Sequence, residues 1–249
     1  WKYETLTPDK SFAVGLGHRR LSILDLSPMG HQPMLFKEKG LAISFNGEIY
    51  NYLEIKAELQ GLGHSFQTTG DTEVILHAWA QWGSSCLSRF NGMFAFLLLD
   101  YNSNKLYAVR DRFGVKPLYY ANINGKLILS SEIKQIKTLK GFRNNLNEDV
   151  VANYLAYGDV DSSEHTFDKN IQQIPPGHYL TVSIGDKSMK LEQWYKLQPR
   201  AWKGSYDDAV VQLRELLTDA VKLRLRSDVA VGSCLSGGLD SSSIVCLAA

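Results

Sequence analysis

Residues 93–99 form an unbroken apolar run, Met-Phe-Ala-Phe-Leu-Leu-Leu, too short for a membrane helix and lacking the polar alternation of a strand with one wet face. Such a segment belongs to a strand covered on both sides, so the fold must stack material above and below a sheet. Leu41, Ile43 and Phe45 alternate with small or polar residues, and Phe12, Val14 and Leu16 do the same, as half-buried strands do. Three more strands are expected at 105–109, 117–121 and 126–129. The turn signals Arg112-Phe113-Gly114 and Asn122-Ile123-Asn124-Gly125 separate them, which makes an antiparallel meander. Helical periods occupy 52–62 and 72–82; in the second, Val74, Ile75, Ala78, Trp79 and Trp82 share a face and Gly83 ends it. Layered α+β packing follows. A further helix is expected over 148–157, capped by Asn147 with Val150, Val151, Tyr154 and Leu155 inward, and Pro175-Pro176-Gly177-His178 reads as a turn into a strand at 179–184.

Residues 198–204, with Pro199, Arg200 and Lys203, read as a linker that closes a first domain at 197. Ser205-Tyr206-Asp207-Asp208 then opens a long amphipathic helix with a box-like cap, its apolar residues Tyr206, Ala209, Val210, Leu213, Leu216, Leu217, Ala220 and Val221 following the 3.6 period. The apolar run 229–235 is expected to be a buried strand, running into Ser236-Gly237-Gly238-Leu239-Asp240-Ser241-Ser242 and then a helix. Two glycines admit a ligand close to the backbone, and the amides, the hydroxyls and the positive helix end converge on one point, which suits phosphate oxygens. Gly232 and Gly237 have the spacing of the common phosphate loop, but Gly238 stands where its lysine belongs. The pattern resembles instead the pyrophosphate loop of the ATP pyrophosphatases, so 205–249 reads as the start of an α/β domain of that kind.

Bulk properties narrow the classes. At 44% apolar content, 249 residues can bury an ordinary core, and 27 Lys+Arg against 26 Asp+Glu give a net charge of +1 with no basic run, so charge offers no argument for nucleic acid or membrane as a partner. The isolated cysteines Cys86, Cys234 and Cys246 fit a reducing, cytoplasmic compartment, each as a small buried hydrophobe. The six histidines lack metal-ligand spacing, and residue 1, a tryptophan, is expected to lie inside a domain.

Three polar clusters fall at ends of expected strands: residues 17–23, residues 46–51 and residues 70–73. Rigid elements that aim such groups into one cleft suit a small molecule, and the set fits an amino acid. A guanidinium can hold an α-carboxylate, a carboxylate an α-ammonium, and an asparagine side chain with a glycine N–H an oxyanion. Each cluster taken alone is equally consistent with a cap or turn.

Together the clusters resemble the glutaminase domain of the class II glutamine amidotransferases. The order H-R-R-L-S-I, G-H-Q-P-M, F-N-G-E-I-Y-N, T-G-D-T-E, N-G-M-F-A-F, R-D-R-F-G-V-K-P-L-Y-Y, S-S-E-I-K is similar to the glutamine-hydrolysing asparagine synthetase family over almost the whole chain. The resemblance implies a four-layer αββα sandwich of the N-terminal-nucleophile type with antiparallel sheets, followed by the start of the ATP-pyrophosphatase domain. It implies that Arg20 grips the glutamine α-carboxylate, that Leu21 and Ile23 line the pocket through their backbone, and that Glu48 and Asp71 read the ammonium. Asn46 and Gly47 would form the oxyanion hole, worth about 3–4 kcal/mol per donor. Leu235 would contact the adenine side of ATP, while Ser236, Gly237, Gly238, Asp240, Ser241 and Ser242 hold its pyrophosphate, with Asp240 also near Mg2+. The implied reaction turns glutamine, aspartate and ATP into asparagine, glutamate, AMP and pyrophosphate, with residues 110–120 shaping the domain interface and the ammonia path. A homodimer is compatible with this.

One departure stands out. The family's nucleophile is an amino-terminal cysteine, and residue 1 here is tryptophan, which implies roughly 30 residues upstream by domain size; without them, 1–249 is expected to leave glutamine intact. By strand alternation Arg19 is expected to point away from the pocket of Arg20, and neither Arg19 nor His18 is expected to act. A ligase or cyclase acting on another carboxylate, and a non-catalytic glutamine-binding module, are the alternative readings of the same residues.

Overall fold

The computed structural model describes residues 2–6, 13–160 and 163–249. Strands β1 (Lys2–Leu6), β2 (Ala13–Gly17), β3 (Met34–Phe36) and β4 (Leu41–Ile49) lead into helices α1 (Tyr52–Gly61) and α2 (Asp71–Trp82). Next come β5 (Gly92–Asp100), β6 (Lys105–Arg110), β7 (Tyr119–Ile123), β8 (Lys126–Ser130), α3 (Ile133–Lys137) and α4 (Glu148–Tyr157). Strands β9 (Gln172–Gln173), β10 (His178–Ser183) and β11 (Met189–Gln193) close the first unit, and α5 (Tyr206–Arg224) and α6 (Leu239–Ala248) follow. Phe12 and Trp1 lie outside the described residues.

The central sheet is antiparallel, in the order β11-β10-β6-β5-β4-β3. Phe94, Phe96 and Leu98 of β5 point into one core with Leu41, Ile43, Phe45 and Ile49 of β4, under α1 and α2. Ala95 and Leu99 point the other way, into a second core with Leu16, Ala42, Leu106, Ala108, Leu118 and Leu180. Period 2 thus divides each strand between two cores, and the apolar run of β5 is continuous because both faces are dry. Beyond the second core lie β1-β2 and the sheet β8-β7-β9, where Leu127 and Leu129 face inward and Ala121, Ile123 and Ile128 pack against Ile133 and Ile136 of α3. Helices, sheet, strand layer and helix make the αββα sandwich.

The expected meander splits in two. Strand β6 pairs with β5 and β10, whereas β7 pairs with β8 and β9 in the other layer, and its start moves to Tyr119. Pro117 has no N–H for a ladder, and the Leu118 carbonyl accepts instead from Ile174 N–H at 2.9 Å. The crossing is held by two buried charges. Arg110 donates to the carbonyls of Gly114, Lys116 and Ile174 and to Gln173 Oε1. Asp111, 1% exposed, accepts the N–H groups of Phe94, Phe113, Val115 and Lys116 at 2.9–3.1 Å. Asp111→Ala strands four donors, so we expect it to cost at least about 3 kcal/mol in a denaturant melt; a midpoint equal to the parent's would contradict this account of the turn.

Helix α2 is buried from Asp71 to Trp79, and Gly83 caps it at φ +57°, as expected. Helix α4 departs from expectation. Val150 and Val151 are half-buried, but Tyr154 and Leu155 are exposed, and Asn147 makes no side-chain cap; the Tyr154 ring meets that of Phe167 edge to face at 5.5 Å. The stripe is real, yet the helix sits outside both cores.

Helix α5 begins with the reciprocal cap of Ser205 and Asp208. Of its apolar face Val221 is buried, whereas Tyr206, Leu213 and Leu216 are exposed. Residues 229–235 do not form the expected buried strand: they are exposed and unpaired, because a strand exists only where a neighbour completes its ladder. Cys234 and Cys246 are accordingly exposed, and only Cys86 is the buried hydrophobe expected of all three.

Candidate active site

The even-numbered side chains of β4, Ser44, Asn46 and Glu48, face the second strand layer instead of the helices, and there they line a cleft of about 450 Å³. The cleft also receives Arg20, Leu21, Ile23, Gly47 and Asp71, so all seven residues expected to bind glutamine share one cavity. His18 and Arg19, in the loop that follows the end of β2 at Gly17, border it too.

Arg20 Nη2 donates to the carbonyls of Leu24 at 2.5 Å and Asp25 at 2.7 Å. Its guanidinium lies against Gly30, where a Cβ would come within 2.5 Å of it. Gly47 has φ +150°, and a Cβ there would stand 2.1 Å from the Met93 carbonyl oxygen, because β4 and β5 are in tight register at Gly47 and Phe94. Only glycine lets the 46–48 backbone approach so closely while aiming at the cleft. Asn46 Nδ2 is 3.4 Å from Ser131 Oγ. Leu21, in contrast, is 85% exposed, and the Ile23 carbonyl already accepts Asp228 N–H at 3.0 Å.

Two carboxyls occupy the cleft in different environments. Burial raises the Glu48 pKa above its ordinary value, opposed by the charge of Lys116. Burial pushes Asp71 from 3.8 up to about 7, helped by the Glu48 charge and resisted by hydrogen bonds including Ile49 N–H to Asp71 Oδ2 at 2.9 Å. Two carboxyls and a guanidinium lining one cleft complement a zwitterion. Cys86 is no candidate nucleophile. It lies in the helix-side core, burial pushes its thiol up, and none of the three cysteines lines the cleft.

Several residues of the cleft escape a reading of the sequence. Lys116 is delivered by the Asp111 turn, and Gln32 joins Phe45 N–H at 2.6 Å to Thr72 Oγ1 at 3.3 Å, behind the cluster. Asp25 Oδ1 accepts from Ser27 and its Oδ2 from Thr69 N–H, bridging the loop of Arg20 to that of Asp71. Their only sequence signal is membership in the motifs quoted above, and Asp25 and Asp228 lack even that.

The loop 236–242 is a separate place. Gly237 has φ +80°, α6 starts after Gly238 without a side-chain cap, Ser236 Oγ and Ser241 Oγ are 2.9 Å apart, and Asp240 lies in the first turn. Leu235 is 63% exposed. Among the described residues no three His, Cys, Asp or Glu are placed to hold a metal, and no helix is long and apolar enough to cross a membrane.

The asparagine synthetase [glutamine-hydrolyzing] 1 of Bacillus subtilis is 37% identical over 94% of this chain and 37% of its own length. Amidase chry2 of Gibberella zeae is 36% identical over 93% of this chain and 34% of its own. The chain thus spans little more than a third of each relative. Among solved structures, the glutamine phosphoribosylpyrophosphate amidotransferase of B. subtilis superposes with a TM-score of 0.53 at 21% identity, over 95% of this chain and 49% of that one, which shows the shared fold. The model of the glutamine amidotransferase domain matches residues 5–195 and that of asparagine synthase matches residues 212–249, so the chain belongs to the glutamine amidotransferase domain family, in the form that continues into asparagine synthase.

Proposed function

We propose that residues up to 197 bind and hydrolyse glutamine, and that the ammonia released serves a ligase whose ATP-pyrophosphatase domain begins near 205, after a linker at 198–204. The observation that carries this reading is the convergence of Arg20, Asn46, Gly47, Glu48 and Asp71 on one cleft, which brings one guanidinium and two carboxyls to the same cavity. Arg20 takes the α-carboxylate in its fork, and Glu48 and ionised Asp71 take the α-ammonium. That leaves the side-chain amide beside Asn46 Nδ2 and the Gly47 N–H, the donors for the oxyanion that forms when a thiolate attacks. The thiol comes from outside the three cysteines of this chain, which is consistent with the family's amino-terminal cysteine.

In the second domain, the uncapped amides of α6 and the hydroxyls of Ser236, Ser241 and Ser242 suit the pyrophosphate of ATP, with Gly237 and Gly238 leaving it room and Leu235 toward the adenine. Mg2+ is commonly held by one or two carboxylates plus phosphate oxygens, and Asp240 in the first turn fits that role; the ion would offset phosphate charge. The acceptor we assign is aspartate, activated as its adenylate, giving asparagine, AMP and pyrophosphate. A second reading is amide formation on a carboxylate other than aspartate, since a relative of similar identity is named an amidase and not an asparagine synthetase.

The experiment supplies the full-length protein with glutamine, aspartate and ATP and quantifies glutamate, asparagine, AMP and ADP. Glutamate, asparagine and AMP in equal amounts are expected. Glutamate without asparagine would move the acceptor to the second reading, ADP in place of AMP would overturn adenylation, and no glutamate would overturn the whole assignment.

A further inference from the structure

The turn 23–25 is gripped from two sides. From the cleft, Arg20 Nη2 donates to the Leu24 and Asp25 carbonyls. From the second unit, the Asp228 carboxylate accepts Asp25 N–H at 2.7 Å while Asp228 N–H donates to the Ile23 carbonyl at 3.0 Å. Asp25 needs such support. It sits at φ +51°, a left-handed conformation that costs a non-glycine residue energy, and its carboxylate also holds Thr69 N–H, two residues ahead of Asp71.

The same short segment has a second anchor. Arg226 donates to the Tyr50 carbonyl at 2.8 Å and to both oxygens of Glu54 at 2.5 and 2.6 Å. Arg224 lies 4.6 Å above the Tyr50 ring. These contacts dock the segment on α1 and the residue Tyr50 ahead of it, whereas Asp228 reaches the turn that carries the acceptors of Arg20.

We propose that Asp228 is a positioning residue for glutamine: it fixes the turn 23–25 in the one conformation that seats the Arg20 guanidinium against Gly30 and aims it along the cleft. This rests on the assignment of glutamine above and adds to it that the segment leading into the Ser236–Ser242 loop controls the grip on the donor substrate. A turn freed from Asp228 relaxes out of its left-handed conformation, the Leu24 and Asp25 carbonyls move, and the guanidinium follows them.

The test is calorimetric titration of glutamine into the full-length protein, its amino-terminal nucleophile replaced by alanine so that glutamine is bound and not consumed, and into three variants of that protein. Asp228→Ala is expected to weaken binding about tenfold, the effect of losing a charge-assisted hydrogen bond. Asp228→Asn keeps an acceptor oxygen and the N–H, so its affinity should lie within about threefold of the parent's. Arg226→Ala breaks the other anchor and should lower the melting temperature while leaving affinity within about threefold. Parental affinity in Asp228→Ala, no recovery in Asp228→Asn, or an equal loss in Arg226→Ala would each overturn the positioning role, the last by reducing it to general docking. A parent that binds no glutamine would overturn the glutamine assignment itself and this inference with it.

Discussion

Replacing Asp71 by Asn is expected to weaken glutamine binding about a hundredfold at pH 8 and to abolish its pH dependence. The magnitude follows from removing one partner of a buried charge pair, which typically costs about 2–5 kcal/mol. The dependence follows from the carboxyl itself. In the free protein Asp71 is held up to about 7 by burial and by the charge of Glu48, so it is largely neutral at pH 6. An α-ammonium beside it stabilises the carboxylate, lowers that pKa and expels a proton on binding. Parental affinity should therefore rise with pH through about 7 and level off above it, with about tenfold between pH 6 and pH 8.

Stability should run the other way. A carboxyl whose folded pKa lies above its ordinary value stabilises the fold below that ordinary value, and the contribution is lost as pH rises from about 4 through about 7. Asp71→Asn, which cannot ionise and still offers an acceptor to Ile49 N–H, should melt with the parent at pH 4 and above it at pH 8. Titrations at pH 6 and 8 in two buffers of different ionisation enthalpy, on protein whose amino-terminal nucleophile is replaced by alanine, with melts alongside, separate the outcomes. Equal parental affinity at both pH values, or a variant that binds like the parent, would remove Asp71 from the ammonium site.

What could be read in advance and what could not divide along one line, the range of the interaction. Local patterns held: the unbroken apolar run of β5, the alternation of Leu41, Ile43 and Phe45, the Ser205–Asp208 cap and the stop at Gly83 depend on near neighbours or on which face is dry. The polar clusters were legible as candidates because each falls where a strand becomes a loop. Failures came where a partner distant in sequence decides. The 229–235 run has the composition of a buried strand, but no neighbour among the described residues completes its ladder. Tyr154 and Leu155 carry a helical stripe on a helix that meets no core. Asp25 and Asp228 are 203 residues apart, and nothing in either neighbourhood announces the other.

Gly47→Ala is expected to damage both stability and catalysis, and the two losses can be told apart. The new methyl would stand 2.1 Å from the Met93 carbonyl oxygen and 2.7 Å from the Phe94 Cα. Both are backbone atoms of β5, which is hydrogen-bonded to β4 on one side and to β6 on the other, so neither can step aside alone. The residue would also have to hold φ +150° with a side chain. Overpacking and backbone strain together should cost about 3 kcal/mol, or about 10 °C in melting temperature for a domain of this size. Relief comes by rotating the 46–48 peptides, and those peptides carry the N–H proposed as an oxyanion donor. Glutamine hydrolysis should then fall about a hundredfold or more, the usual effect of losing one such donor. Leu98→Ala provides the comparison, because Leu98 is fully buried on the helix side of β5 and its truncation costs a similar amount through a cavity remote from the cleft. Assayed below both melting points, Leu98→Ala should hydrolyse glutamine within a fewfold of the parent while Gly47→Ala does not. Equal rates in the two variants would mean that the Gly47 backbone serves only the packing of β4 on β5.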